Sequence, residues 1–480
     1  MKEGYIPQEQ RKNILLLTDD IRLHSGVGNI GKEIVLHTSH KYNWYNLGGA
    51  INHPELGKIF DISDDINKST GLTDSKVIIQ PNNGYGEPQQ IRELIKNQNI
   101  DAIFLITDPR YFIWLFRIEN EIRKNIPISY LNIWDEYPAP MYNKAYYESC
   151  DLLMGISKQT VNINKLVLGE KADSKIIDYV PHGMNTDVFY PIPTESKEYQ
   201  EVIKLKDRIT KSTTKNPFIL FFNSRNIRRK SIPDTLLAWK YFTDQLPEDE
   251  AKNCYFVLHT ELISDAGTNL QAVVDNLFGS NYNNIMFSTS KVSAQQLNHF
   301  YNAADAQILL SSAEGWGLSL TEALLTGTPI IANVTGGMQD QMRFEDENGD
   351  WINFDADIPS NHTGAYKKHG KWAFPVFPNN RSLVGSPRTP YIWDDRCRPE
   401  DAAKQIMEVY KMTPEQRKSI GKAGYEWATS DEAGFTSEQM ASKVEKNMEK
   451  LFSTWEPRSH YELINANKVK EDVLPHKLLY

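Results

Sequence analysis

Short apolar runs recur along this chain, and each is followed by a loop and then a stretch with helical spacing. That alternation is the pattern of a parallel sheet whose strands are covered on both faces by helices. Ile14-Leu15-Leu16-Leu17-Thr18 opens the series and leads through Ser25-Gly26-Val27-Gly28 into a helical stretch, Asn29 to His40. Ile103–Ile106, Ile128–Ile133 and Leu152–Ile156 repeat the pattern, with Ser157 placed to cap the helix after the last of them. Beyond a turn at Val180-Pro181-His182-Gly183 and a polar helical segment, the pattern restarts at Phe218–Phe222. It continues through Tyr255–His259, Ala306–Leu310 and Pro329–Asn333. The expected fold class is α/β, with two Rossmann-like doubly wound domains facing across a cleft. Ligands of such sheets bind at the carboxyl ends of the strands.

A chain of 480 residues is too long for one ordinary core. The expected division is an N-terminal acceptor-side domain over 1–195 and a C-terminal donor domain over 196–430 with an insertion at about 343–398. A helical tail over 431–480 would pack back on the N-terminal domain. No fixed-period repeat is visible, which excludes a solenoid or propeller. No run reaches the roughly 18 apolar residues of a membrane span, and the stretch MKEGYIPQEQRKN lacks the apolar centre of a signal peptide. A cytoplasmic location is expected. Cys150, Cys254 and Cys397 are odd in number and widely spaced, so they read as neither a disulfide framework nor a zinc site. The net charge of −9 excludes a uniformly basic nucleic-acid binder, though not a local basic surface.

The stretch most charged with chemistry is Ser311-Ser312-Ala313-Glu314-Gly315-Trp316-Gly317-Leu318-Ser319-Leu320-Thr321-Glu322, closed by Gly327 and Pro329. It reads as strand end, glycine loop, short helix and next strand. Glu314 would lie in the loop over the cleft, and Glu322 about a turn into the helix. The amides near Leu318 and Ser319 would present an anion-binding helix N-terminus, and the glycines allow close backbone approach. Singly, Glu322 could be a helix-surface acid and the glycines ordinary turn punctuation.

Together, these residues resemble the E-x7-E signature of the large retaining glycosyltransferase family of the GT-B fold, family four of the usual sugar-transferase classification. The resemblance runs from residue 13 to about 340 and resumes weakly near 399. It implies that Glu314 contacts the donor sugar, as a catalytic residue, and that Glu322 contacts the ribose. Gly315, Trp316, Gly317, Leu318 and Ser319 would hold sugar and diphosphate through their backbone. Asn223-Ser224-Arg225-Asn226-Ile227-Arg228-Arg229-Lys230 resembles the family's diphosphate segment, with Arg225 and Lys230 as the contacts; Arg228 or Arg229 could be a solvated face. Val180 to Phe189 resembles the interdomain segment, and Gly26 and Gly28 match the N-terminal glycine loop beside donor phosphate and acceptor.

Many relatives carry a His where this chain has Trp134-Asp135. Asp135 would contact the donor sugar or the acceptor hydroxyl, or cap the next segment. The resemblance implies a retaining mechanism in which the departing phosphate takes the acceptor proton. The donor would be a nucleotide-sugar co-substrate, UDP-linked, with no further cofactor and no metal; Asp355-Ala356-Asp357 has the letters of a D-x-D site but lies in an irregular region.

Between residues 360 and 398 cations outnumber acids and alternate with Tyr366, Trp372, Phe374, Phe377, Tyr391 and Trp393. Cations mixed with aromatics suit a phosphate backbone and an exposed base, or else form an ordinary loop with a satellite core. Lys371, Trp372, Arg381 and Arg388 are the candidate acceptor contacts. His369–Pro378 and Ser382–Pro387 are similar to glycosyltransferases of T-even-like bacteriophages, some of which add glucose or arabinose to 5-hydroxymethylcytosine in DNA. That implies duplex DNA as acceptor, arabinose as a possible sugar, and action in the host cytoplasm. Position five of the base faces the major groove, so flipping need not be required. Competing readings are a transferase of surface polysaccharide or glycolipid synthesis, a silent sugar-nucleotide-binding module, and an epimerase or phosphorylase of the same architecture. Oligomeric state leaves no sequence signal.

Overall fold

Strands rich in Ile, Leu, Val and Phe lose their contact with water only when helices cover both faces, and that requirement organises both halves of the molecule. A computed structural model describes residues 4–458 except 24, 212–215, 280, 281, 283, 357 and 359. Asp357 and the last residues of the polar tail, 476–480, lie outside the described residues.

The first half carries β1 Lys12–Asp19, β2 Tyr42–Ala50, β3 Phe60–Asp61, β4 Val77–Asn83, β5 Ala102–Ile106, β6 Ile128–Asn132, β7 Leu152–Gly155 and β8 Ile176–Tyr179. They form one sheet in the order β3-β4-β2-β1-β5-β6-β7-β8, parallel except at β3 against β4. The second half carries β9 Phe218–Asn223, β10 Cys254–His259, β11 Ile285–Ser288, β12 Ala306–Leu309, β13 Ile330–Asn333 and β14 Ala373–Val376. Their order, β11-β10-β9-β12-β13-β14, is parallel throughout. Each sheet therefore reverses its winding once, between β1 and β5 and between β9 and β12. Loops leaving those neighbouring strands diverge and open a crevice at the carboxyl ends.

The segment expected as an insertion at 343–398 is partly framework. β14 is the edge strand of the second sheet, and Trp372 and Phe374 are buried in its core. Trp372, expected as an acceptor contact, stacks on Trp427 at 4.9 Å and donates its indole N–H to the Gln341 carbonyl at 3.0 Å. Its apolar area goes to the core, where burial of a large ring stabilises more than exposure to an occasional ligand.

After β14 the chain makes an antiparallel hairpin, β15 Pro378–Ser386 and β16 Thr389–Cys397. This hairpin reaches across to the first half. Trp393 N–H donates to the Tyr137 carbonyl at 2.7 Å, and the Tyr142 hydroxyl donates to the Tyr391 carbonyl at 2.9 Å. Tyr391, edge-on to Tyr142 at 4.9 Å, and Trp393 thus pack on the first half.

The chain passes between the halves again near its C-terminal end. Met184 and Thr436 pair as a parallel bridge, with Met184 N–H to Phe435 O at 3.0 Å and Ser437 N–H to Met184 O at 2.9 Å. A capping box at Thr436 and Gln439 then starts the helix Ser437–Thr454. That helix buries Met440, Val444, Met448 and Leu451 and packs on the helix Gly26–Thr38 of the first half.

Candidate active site

The two crevices face each other and form one cleft of about 840 Å³. Most of its walls are loops or helix starts that leave the carboxyl ends of strands. Gly26 follows β1; Asp108 and Arg110 follow β5; Trp134 and Asp135 follow β6. From the other half come Asn223 to Lys230 after β9, His259 to Glu261 after β10, Ser288 to Lys291 after β11, and Glu314 to Glu322 after β12.

Gly317 sits at φ +89°, a left-handed conformation that only glycine adopts cheaply, and it turns the loop into the helix Leu318–Leu325. Leu318 and Ser319 line the cleft at the first turn, where amides have no acceptor inside a helix. The loop is held by close backbone packing. A Cβ on Gly336, at φ +54°, would stand 2.0 Å from the Glu314 carbonyl oxygen, and one on Gly315 would stand 2.6 Å from the Ile133 carbonyl oxygen across the cleft.

Glu314 is 4% exposed, and each of its oxygens meets a cation. Oε1 pairs with Lys230 and Oε2 with Arg229 at 2.9 Å. Burial alone would raise its carboxyl, but the charges of Arg229 and Lys230 outweigh burial and hold it at about 2. Glu322 lies in the same cleft with neutral partners. The Tyr301 hydroxyl donates to its Oε2 at 2.5 Å, and Asn223 Nδ2 donates to the same oxygen at 3.1 Å. Burial, only partly offset by those two hydrogen bonds, pushes Glu322 up to about 7.

Asp135 faces this group from the first half. Burial raises its carboxyl, Arg229 opposes that shift, and the nearby Glu314 adds to it. His182 lines the floor, 7% exposed, and burial lowers its imidazole to about 3, so it is neutral at ordinary pH. Its Nδ1 is buried and has no hydrogen-bond partner among the described residues.

The structure brings Glu314, Glu322, Asp135, Arg225, Lys230, Gly26 and the stretch Gly315 to Ser319 to this one cleft. Gly28 is not there. Its N–H donates to the Ser25 hydroxyl at 2.9 Å, so it belongs to the cap of the helix Gly26–Thr38. The acceptor candidates also lie outside. Lys371 and Arg388 are exposed, and Arg381 Nε is bound to Asp395 at 2.9 Å.

Three contributors escaped sequence reasoning. Arg229 had been left open as a solvated face, yet it turns in; Tyr301 and Asn223 hold Glu322. The hairpin contributes Thr389 and Ile392 to the cleft wall, with Thr389 accepting from Arg110, which also pairs with Asp108. Asn223, at the end of β9 and just before the basic run, was the one position with a usable signal. Among the described residues no group of three His, Cys, Asp or Glu side chains is placed to hold a metal ion, and no helix is long and apolar enough to cross a membrane.

Residues 204–357 match the family model described as glycosyl transferases group 1, so the second half carries such a domain. An uncharacterized glycosyltransferase of Methanocaldococcus jannaschii is 27% identical over 124 residues, 26% of this chain and 30% of that protein. The match thus spans less than a third of that relative. Among solved structures, Anabaena HepE in complex with UDP and glucose superposes with a TM-score of 0.62 at 13% identity, covering 92% of this chain and 100% of that one. Sucrose-phosphate synthase of Thermosynechococcus elongatus gives 0.62 at 15% identity, with the same coverage. A trehalose-6-phosphate protein of E. coli bound with UDP-2-fluoro glucose gives 0.61 at 11% identity, over 92% and 99%. These likenesses establish the fold: the chain has the GT-B fold, which the resemblance of its E-x7-E stretch implied, and the strand pattern led one to expect its two doubly wound halves.

Proposed function

We propose that this chain is a retaining glycosyltransferase of the E-x7-E type that moves a sugar from a UDP-linked donor to an acceptor hydroxyl. One observation carries the reading. Glu314, Glu322, three cations and an open helix turn converge on a single cleft at the switch points of both sheets.

Arg225, Arg229, Lys230 and the first amides of the helix Leu318–Leu325 would receive the diphosphate, because they offset the charge that grows there as the glycosidic bond breaks. Glu322 would take the ribose and Glu314 the transferred sugar. The bond from the anomeric carbon to the phosphate oxygen breaks, and the acceptor oxygen bonds to that carbon on the same face. The acceptor proton passes to the departing phosphate. Asp135, facing the group from the other half, would orient the sugar or the acceptor hydroxyl. UDP with glucose, and a UDP-linked sugar, bound to GT-B proteins of the same fold support the choice of donor.

For the acceptor, the reading is a 5-hydroxymethylcytosine in duplex DNA, with arabinose or glucose transferred, in the cytoplasm of an infected host. Its support is the similarity of His369–Pro378 and Ser382–Pro387 to phage enzymes. A second support is that exposed Arg388 immediately precedes Thr389 of the cleft wall. The test is transfer from labelled UDP-sugars to duplex DNA with and without the modified base. Label on the modified DNA alone is the expected result. Label on neither, with UDP still bound, would keep the transferase and move the acceptor to glycans or lipids.

A further inference from the structure

Arg229 and Lys230 are the best-placed cations for a diphosphate, yet both are already taken. The Glu314 carboxylate holds Lys230 through Oε1 and Arg229 through Oε2 at 2.9 Å. Arg229 is itself fixed: its Nη1 donates to the Ala313 carbonyl at 2.6 Å, and its own carbonyl accepts from Ser312 N–H at 2.8 Å. It therefore cannot leave the cleft without abandoning the loop that carries Glu314. Arg225 lines the same cleft and has no ion-pair partner among the described residues. A carboxylate and a phosphate offer a guanidinium the same pair of anionic oxygens, so one can stand where the other binds.

We infer that the Glu314 carboxylate occupies the seat of the donor's diphosphate, and that Arg229 is a third diphosphate cation beside Arg225 and Lys230. This rests on the proposed donor chemistry and adds a competition to it. Donor binding takes Arg229 and Lys230 away from Glu314, and the carboxylate so released turns to the sugar. The residue needed for transfer is thereby held out of use until a diphosphate arrives. Uridine without phosphates would leave the pairing as it stands.

The test is calorimetric titration of the full chain with UDP, inorganic pyrophosphate and uridine. Removing the competing charge in Glu314→Gln is expected to tighten UDP and pyrophosphate binding about tenfold and to leave uridine unchanged, while transfer is lost. Arg229→Gln is expected to weaken UDP about tenfold. Glu314→Gln leaves two cations without their partner and lowers stability, so the UDP-induced rise in Tm is read as well and should exceed that of wild type. Glu314→Asp, which keeps the charge but shortens its reach, supplies a milder variant and should bind UDP more tightly than wild type. UDP affinity unchanged or weaker in a folded Glu314→Gln or Glu314→Asp protein overturns the inference and leaves the transferase reading intact. A wild-type protein that binds no nucleoside diphosphate overturns both.

Discussion

Glu314 and Glu322 are the same residue type on one loop and helix, and the fold drives their carboxyls in opposite directions. Glu314 meets two cations and is held at about 2, whereas Glu322 meets only a hydroxyl and an amide, and burial pushes it up to about 7. The sign of the stability effect follows. Glu322 has a raised value in the fold, so its contribution is fully present below the unfolded carboxyl range and is lost as pH rises through about 7. Glu314 contributes above that range and loses its contribution as pH falls toward about 2. Glu322→Gln should therefore flatten the loss of stability between about pH 5 and 8, on the order of 3 kcal/mol, as read by urea unfolding at each pH. The spacing of this carboxylate pair was legible in the sequence; its opposed chemistry was not, because Tyr301 and Asn223 come from distant segments. Nor could the basic run say which cation turns inward. A short 3-10 turn over Arg228–Lys230 decides it, leaving Arg228 exposed while Lys230 is buried.

Among elements, the runs that read most clearly were strands buried on both faces. Ile14 to Thr18 lies within β1, Phe218 to Phe222 within β9 and Pro329 to Asn333 at β13, because an uninterrupted apolar run has few other fates. β2, with its Asn and Gly residues, and β4, with Pro81, carry turn-forming residues and did not announce themselves. β14 was hidden among cations: the pattern of cations and aromatics fitted an acceptor surface or a satellite core alike, and Trp372 and Phe374 prove to be core. The glycine loop after β12 was readable as a close-approach turn, although the object approached was not: it is another loop of the same half, and across the cleft the backbone after β6. Gly336→Ala should accordingly displace the Glu314 carbonyl and cost at least about 2 kcal/mol, seen as a lowered Tm together with loss of transfer. An alanine at half-buried Gly349, also at positive φ but with nothing near its Cβ, supplies the contrast and should leave transfer intact.

At the scale of the whole molecule, the two halves are fastened by polar groups sealed from water. Glu136 of the first half and Asp395 of the hairpin both meet the Thr335 hydroxyl, at 2.6 and 3.0 Å. Burial, and then the neighbouring Asp395, drive the Glu136 carboxyl well above the ordinary carboxylate range. Thr335→Val removes the shared hydroxyl while keeping the shape. It should cost about 1–3 kcal/mol and speed hydrogen exchange along β16 and the loop after β6, with secondary structure unchanged by circular dichroism. The returning helix Ser437–Thr454 carries a different consequence, one of timing. The outer face of the helix Gly26–Thr38 is covered by side chains that lie more than four hundred residues further along the chain. A ribosome delivers the first sheet early and its last layer of packing late, so the N-terminal half emerges with an apolar face still bare. Native order there arrives only when the end of the second half has been made, which couples the maturation of the first half to completed synthesis of the second.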